Sequence, residues 1–547
     1  MRFGTVKHIA PAMPALLFLA VFFAWPLIEI GRVSFATAAF GRGATPLTVL
    51  GDPAYLGILA FTCWQAALST LLTLLAGLPI ALAFARYRFA GQRFWRAVAV
   101  VPFVMPTVVV AAAFSALLGP RGAVNQLLQS LFGLEQPPIQ LLGSLPLVLL
   151  AHVFYNVAVV IRVVGGFLTN LSPHLEEAAA NLGANRWQVA RSVLLPLALP
   201  AVGAAAALTF LFTFSSFGVM LILGGARFAT LEVEIYRQAT QMLRLDVAAS
   251  LAVIQMAVTL LTGWASARLE AGVPLEAQSI GQPRRRPSTP AERALVWGSL
   301  AFVILVLLTP MATLVMRSFD WEGGPPWRYY AALGQNVRGA LFFVPPQVAI
   351  GNSLLFAFAT MLLTMLLGVP LVYALARLRR GQLLEAILLL PLGSSAVALG
   401  LGFLVAFDQP PLDLRTSVVL LPIAHTLVAL PFFVRAALPA FRALDQRLRE
   451  AARGLGAGPL QVMRHIDLPL LAPSLTAAAI FAFAVSLGEF GASLLIARPE
   501  YPTMPVAIYR FLGQPGALNY GQALAMSSLL MLVTASSAAL IEWLRPR

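Results

Sequence analysis

Few residues of this chain are equipped for chemistry, and none is arranged for covalent catalysis. No Gly-x-Ser-x-Gly or His-Glu-x-x-His sequence occurs, so neither an activated serine nor a helix-borne zinc pair is predicted. Cys63 is the sole cysteine, which excludes a disulfide framework or a cysteine metal site within the chain. The single lysine, Lys7, is followed by His8, so the Lys-Ser/Thr grip of a nucleotide-binding P-loop is missing. No catalytic residue, no metal site and no cofactor bound by this chain is expected. What remains are polar groups embedded in apolar sequence. Glu489 lies inside a long apolar run, where an ionisable side chain is costly and commonly functional. It could face a translocation path and favour a cation, pair with an Arg or His across a helix bundle, or sit near the external interface. Ser216 stands at the matching position of an internal repeat. His152 and His425 read as packing or hydrogen-bonding residues, because two isolated histidines do not make a metal site. Arg162 and Arg435 read as snorkelling anchors, and Trp64 and Tyr236 as packing or interface aromatics.

The elements that must carry these groups are membrane helices. With 59% hydrophobic and 11% charged residues, the chain is too apolar for an ordinary soluble protein. The net charge of +15 would suit nucleic acid, but the arginines cluster in short loops between apolar runs, so no nucleic-acid partner is expected and the basic balance is read as topological. Runs near 14–35, 58–85, 96–118, 145–168, 199–223 and 246–268, then near 293–317, 350–376, 384–407, 415–438, 471–496 and 521–543, predict about twelve spans, six plus six. The first follows Arg2 and Lys7 without a small-residue cleavage site and reads as a retained helix. Loops rich in arginine, at Arg86 to Arg96, Arg186 and Arg191, Arg284 to Arg286, Arg377 to Arg380 and Arg442 to Arg464, alternate with poorer ones, which puts those loops and both termini in the cytoplasm.

The chain is duplicated. Glu177-Ala178-Ala179, Gly183 and Leu195-Pro196 recur as Glu450-Ala451-Ala452, Gly456 and Leu468-Pro469, each displaced by 273 residues (450 − 177). The same offset relates His152 to His425, Arg162 to Arg435, Phe217-Gly218 to Phe490-Gly491 and Ile235-Tyr236-Arg237 to Ile508-Tyr509-Arg510. Upstream, Gly77-Leu78-Pro79 matches Gly368-Val369-Pro370 at an offset of 291 (368 − 77), which places 18 extra residues (291 − 273) in the first half, most simply in the external segment around Gly119 to Gly143. The expected organisation is a first half over 1–268 with its core at about 58–268, a polar, proline-punctuated linker over 269–292, and a second half over 293–547 with its core at about 350–543. An even number of spans per half makes these parallel repeats.

The repeated cytoplasmic segment has a physical logic. Asn170 or Ser172 can cap a short helix with Glu176 and Glu177 near its amino end, which suits the helix dipole. Ala178 to Ala180 favour helix, Gly183 supplies the left-handed residue that stops it, and Asn185 can start the next turn. Leu195-Pro196 is expected to restart a helix with proline in its first turn. The product is a rigid knob suited to insertion into a groove on a cytosolic partner.

Glu-Ala-Ala, three residues, Gly, nine residues, an aliphatic residue, any residue and Leu-Pro resembles the signature of permeases of type I binding-protein-dependent ABC importers. Val193 takes the place of the more usual isoleucine in the first copy. The double length, with Phe217-Gly218 followed by Thr230 to Tyr236, resembles the fused ferric-iron and thiamine permeases. The resemblance implies an all-α membrane protein of two parallel six-helix repeats in the bacterial inner membrane. It further implies that Glu177, Ala178, Ala179, Gly183 and Pro196, with Glu450, Ala451, Ala452, Gly456 and Pro469, couple to two copies of a cytosolic ATPase subunit that uses ATP and magnesium. An extracytoplasmic binding protein would deliver the solute, with ferric iron the first expectation and thiamine or its phosphates the second. An ion-coupled secondary transporter would share the parallel repeats, but it would need more intramembrane acids and would leave the doubled signature unexplained.

Overall fold

The computed structural model describes residues 10–36, 44–171, 174–225, 227–271, 285–319, 324–335, 344–378, 382–408, 410 and 412–544. Arg2, Lys7, Ser172, Arg284, Arg379 and Arg380, which entered the reading above, lie outside them. Helices dominate: α1 (Ala10–Phe35), α2 (Pro53–Arg86), α3 (Thr107–Leu118), α4 (Leu145–Asn170), α5 (His174–Asn181), α6 (Leu195–Phe214) and α7 (Leu245–Ala271). The second repeat follows the same order as α8 (Pro290–Arg317), α9 (Pro346–Arg377), α10 (Ala396–Ala406), α11 (Leu420–Arg442), α12 (Gln446–Gly454), α13 (Leu468–Gly488) and α14 (Ala517–Leu544).

Eleven helices among the described residues are long and apolar enough to span a membrane, one fewer than the twelve expected. The difference lies at 384–407. Pro391 falls in a short 3-10 turn, Leu390–Gly393, and Ser395 then caps α10 by accepting from the Ala398 N–H at 3.0 Å, so the run is broken into two short helices. The matching run at 96–118 is broken in the same way by Pro102 and Pro106, but α3, starting afresh at Thr107, is followed at once by the helix Ala123–Phe132, and Thr107–Phe132 together has the length of a span.

Proline also explains a recurrent irregularity. Widened π turns at Ala20–Ala24, Ala190–Leu194, Val303–Leu308 and Met463–Asp467 each end two residues before a proline: Pro26, Pro196, Pro310 and Pro469. A proline cannot donate to the carbonyl four residues back and its ring crowds that carbonyl, so the preceding turn opens. This corrects the expectation of a restart at Leu195-Pro196. Leu194 is helical on the amino side of α6 and Asp467 on that of α13, so the helix runs through the proline.

The chain forms two compact units, Pro46–Glu234 with Ile254–Phe319, and Met1–Thr45 with Ile235–Val253 and Asp320–Arg547. Each combines pieces of both sequence halves. In the unit built around α2, α4 and α6, the span α8 packs on α2 and α3. In the unit built around α9, α11 and α13, the span α1 packs on α9 and α10, with the Trp25 and Phe407 rings 5.5 Å apart. The repeats are consecutive in sequence, whereas the compact units exchange their first helices.

Close helix packing rests on small residues at matched positions. A Cβ on Gly77 would lie 2.8 Å from Val160 Cβ, and one on Gly368 would lie 2.5 Å from the Phe433 ring. These are the same α2–α4 and α9–α11 contacts in the two repeats. Without a hydrophobic drive between helices in lipid, such small residues let backbones approach closely. In the first of these units the end of the linker is tied down. The Arg88 N–H donates to the Arg285 carbonyl at 2.8 Å, the Arg285 N–H donates to the Arg86 carbonyl at 3.2 Å, and the Arg285 guanidinium pairs with Glu292 at 2.8 Å. Glu292 in turn completes a capping box with Thr289 at the start of α8.

Candidate functional site

The two Glu-Ala-Ala segments have the same local geometry. In α5 the run of alanines forms helix, and Gly183 ends it in a left-handed conformation, φ +86°. The Ala184 N–H then reaches back to the Ala179 carbonyl at 3.1 Å, the six-to-one bond of a Schellman stop. In α12 the matching atoms do the same: Gly456 has φ +86° and the Ala457 N–H bonds the Ala452 carbonyl at 3.0 Å. An added Cβ at either glycine would meet nothing within 4 Å, so the glycines are required by backbone conformation and not by crowding. Beyond the first stop, Asn185 and Gln188 cap each other reciprocally at 2.8 and 2.9 Å. Asp445 caps α12 by accepting from the Arg447 N–H at 2.9 Å.

These segments present an apolar point to solvent. Leu182 and Leu455, immediately before the two glycines, are each 89% exposed. Glu177 and Glu450 are exposed beside them, Ala178 and Ala451 are exposed, Ala179 and Ala452 half-buried, and Pro196 and Pro469 exposed. One exposed leucine would need no explanation, but the same exposed leucine on the same glycine stop in both repeats is a shared feature of the two segments. The sequence reading passed over Leu182 and Leu455; their identical placement before a left-handed glycine was the available signal.

A second constellation lies inside each repeat, where α6 and α13 end. His152 on α4 bridges Ser69 of α2 and Ser216 through its two ring nitrogens, both at 2.9 Å. His425 on α11 bonds Ser486 at 2.8 Å and Ser493 at 2.9 Å, while the Ser486 hydroxyl reaches Thr360 of α9 at 3.2 Å. Thr360 is the repeat counterpart of Ser69. Both histidines are buried, and each ties together the second, fourth and fifth helices of its repeat.

Ser216 and Glu489 therefore occupy one position, the break that follows the fifth helix. Glu489 leaves α13 with extended backbone and caps the short helix Gly491–Ile496. Its carboxylate accepts the Ala492 N–H at 2.8 Å, the Ser493 N–H at 2.9 Å and the Ser493 hydroxyl at 2.6 Å, and lies 3.3 Å from His425 Nε2. Glu489 thus has a histidine partner across the bundle. Arg162 and Arg435 are both exposed at matched positions.

Glu489 is also not alone. Glu232 and Glu234 are buried, and Gln255 of α7 donates to Glu232 at 2.5 Å. Both acids lie between the apolar runs expected at 199–223 and 246–268, where the sequence analysis singled out no acid. Gln255, an amide in the middle of an apolar helix, was the clue that it needed a partner. The short helix bearing Glu232 is fastened by the Leu231 N–H to the Thr62 hydroxyl at 3.1 Å, and in the other repeat the Met504 N–H bonds Ser353 at 2.7 Å.

With this geometry in place, comparison with known proteins fixes the class. The chain belongs to the family of binding-protein-dependent transport system inner membrane components, whose model matches it twice, over residues 74–273 and 349–547. It is a permease of the ABC importer type with two fused transmembrane domains. A probable ABC transporter permease, y4fN, of Sinorhizobium fredii is 29% identical over 82% of this chain and 80% of its own. The thiamine transport system permease ThiP of Escherichia coli is 27% identical over 87% of this chain and 88% of its own. The ferric transport system permease FbpB of Actinobacillus pleuropneumoniae is 23% identical over 98% of this chain and 78% of its own.

Proposed function

We propose that this chain forms the translocation path of an ATP-driven importer, with both Glu-Ala-Ala segments docking on cytosolic ATPase subunits. The observation that carries this reading is the twofold recurrence of one docking shape: an exposed leucine, Leu182 or Leu455, set on a helix stopped by a glycine at φ +86°. Two equal knobs suit two equal ATPase subunits, which would supply the ATP and magnesium chemistry that this sequence lacks. Closure of those subunits would pull on α5 and α12, and the helices that resume after the glycine stops at Arg186 and Pro459, continuous through Pro196 and Pro469, would carry the movement into α6 and α13. An extracytoplasmic binding protein would hand over the solute on the other side. On this reading both termini and both segments are cytoplasmic. On the same reading the breaks after α6 and α13, with Ser216 and Glu489, would contribute to the path, since broken helices are where membrane transporters expose backbone polar groups.

For the substrate, the Glu489 carboxylate does not choose between the candidates, since Ala492, Ser493 and His425 already engage it and both ferric iron and thiamine carry positive charge. Thiamine or a thiamine phosphate becomes the first reading, supported by the more similar of the two substrate-named relatives. Ferric iron is the second, supported by likeness along 98% of the chain. Reconstitution in liposomes with the cognate ATPase and binding protein, comparing labelled thiamine and labelled ferric iron with and without ATP, tests both. ATP-dependent accumulation of one names the solute. Uptake driven by an ion gradient without the ATPase would overturn the proposal.

A further inference from the structure

The two docking segments are alike in outline but are anchored differently. In the second repeat the docking helix is paired to one buried carboxylate at the foot of α13. Asp467 ends the π turn Met463–Asp467, directly before α13, and is 1% exposed. Arg449 of α12, one residue before Glu450, donates its Nε–H to Asp467 Oδ1 at 2.8 Å, and the arginine side chain is itself largely buried. Arg377, the last residue of α9, is close enough to interact electrostatically with both Asp467 and Arg449. Asp467 Oδ2 accepts no hydrogen bond among the described residues, so Arg449 supplies the compensation for burying this charge. In the first repeat the counterpart of Asp467 is Leu194 (467 − 273), buried and apolar, and that of Arg449 is Glu176 (449 − 273). No ion pair of this kind can form there.

We propose that Arg449 and Asp467 are positioning residues that clasp α12 to the foot of α13, so that the second docking segment is a stiff lever and the first a compliant one. The two ATPase sites of the transporter are then mechanically unequal, even though Gly183 and Gly456 share one backbone conformation. A buried pair is suited to this role: it has one good geometry, and loosening it exposes a carboxylate to apolar surroundings without its partner. The inequality rests on the docking reading above; the clasp itself does not.

The experiment separates the two. Hydrogen exchange on the full chain in nanodiscs should show the amides of 446–456 exchanging about ten-fold more slowly than those of 174–183, the difference that one extra tertiary anchor gives to local opening. In the double variant Arg449→Leu/Asp467→Leu, which removes both charges and installs the leucine of the first repeat, the two segments should exchange alike. Arg449→Lys, which keeps the charge, should retain most of the protection. Equal exchange in the unmodified chain, or an unaltered difference in the double variant, would overturn the clasp. In proteoliposomes with the ATPase and binding protein, the double variant should keep its ATPase subunits and basal hydrolysis but import about two-fold or less solute per ATP, with labelled thiamine and labelled ferric iron as probes. An unchanged ratio would overturn the lever role. Failure of the unmodified chain to respond to ATP would remove the docking reading and leave the exchange result standing.

Discussion

Gly183 and Gly456, 273 residues apart, hold the same left-handed backbone at φ +86° and each follows a leucine that is 89% exposed. Two such coincidences in one chain tie the segments to a common task, because the leucines are not used in packing and the glycines serve only to set the stop that holds them.

Replacing Gly183 or Gly456 with valine should therefore leave the helices of the membrane intact while distorting the stop. The left-handed penalty for a side chain is about 1–2 kcal/mol, enough to re-aim the leucine but not to unfold the protein. ATPase activity should persist while uptake falls, measured together in proteoliposomes. Full uptake in both variants would argue against coupling through these segments.

His152→Ala removes the bridge between Ser69 and Ser216 and should lower stability by about 1–2 kcal/mol. His425→Ala also takes a partner from the buried Glu489 and should cost more, about 2–3 kcal/mol. Thermal unfolding in detergent checks the order. Equal losses would mean that the Glu489 contact adds nothing.

Gly77→Ala and Gly368→Ala should each force apart the second and fourth helices of their repeats, at about 1–3 kcal/mol. The second should respond to a compensating Phe433→Leu, because the clash is with that ring. Thermal shifts of the single and paired variants would show whether the crowding is local.

Chain cleavage offers a test of the exchanged helices. Fragments 1–278 and 279–547, expressed together, should copurify in detergent, because each compact unit takes helices from both fragments. Recovery of the tagged fragment alone would contradict that arrangement.

The sequence by itself determined the helical membrane class, the duplication and the place of both Glu-Ala-Ala segments. These follow from local rules: apolar runs of about 20 residues span a bilayer, and Glu-Ala-Ala followed by glycine dictates a helix and its stop wherever it occurs. The proline effects were only half legible. Pro196 and Pro469 were visible, but whether a proline starts a helix or widens one already running depends on what packs around the preceding turn. Tertiary structure alone decided which helices share a unit, since α1 and α8 would show the same periodicity beside either repeat. It also decided that Glu489 meets His425 and that Glu232 meets Gln255, pairs separated by 64 and 23 residues (489 − 425 and 255 − 232). The asymmetry of Asp467 and Leu194 was written in the sequence throughout. It acquired meaning when folding buried Asp467 beside Arg449, because a charge needs explaining only where water is excluded.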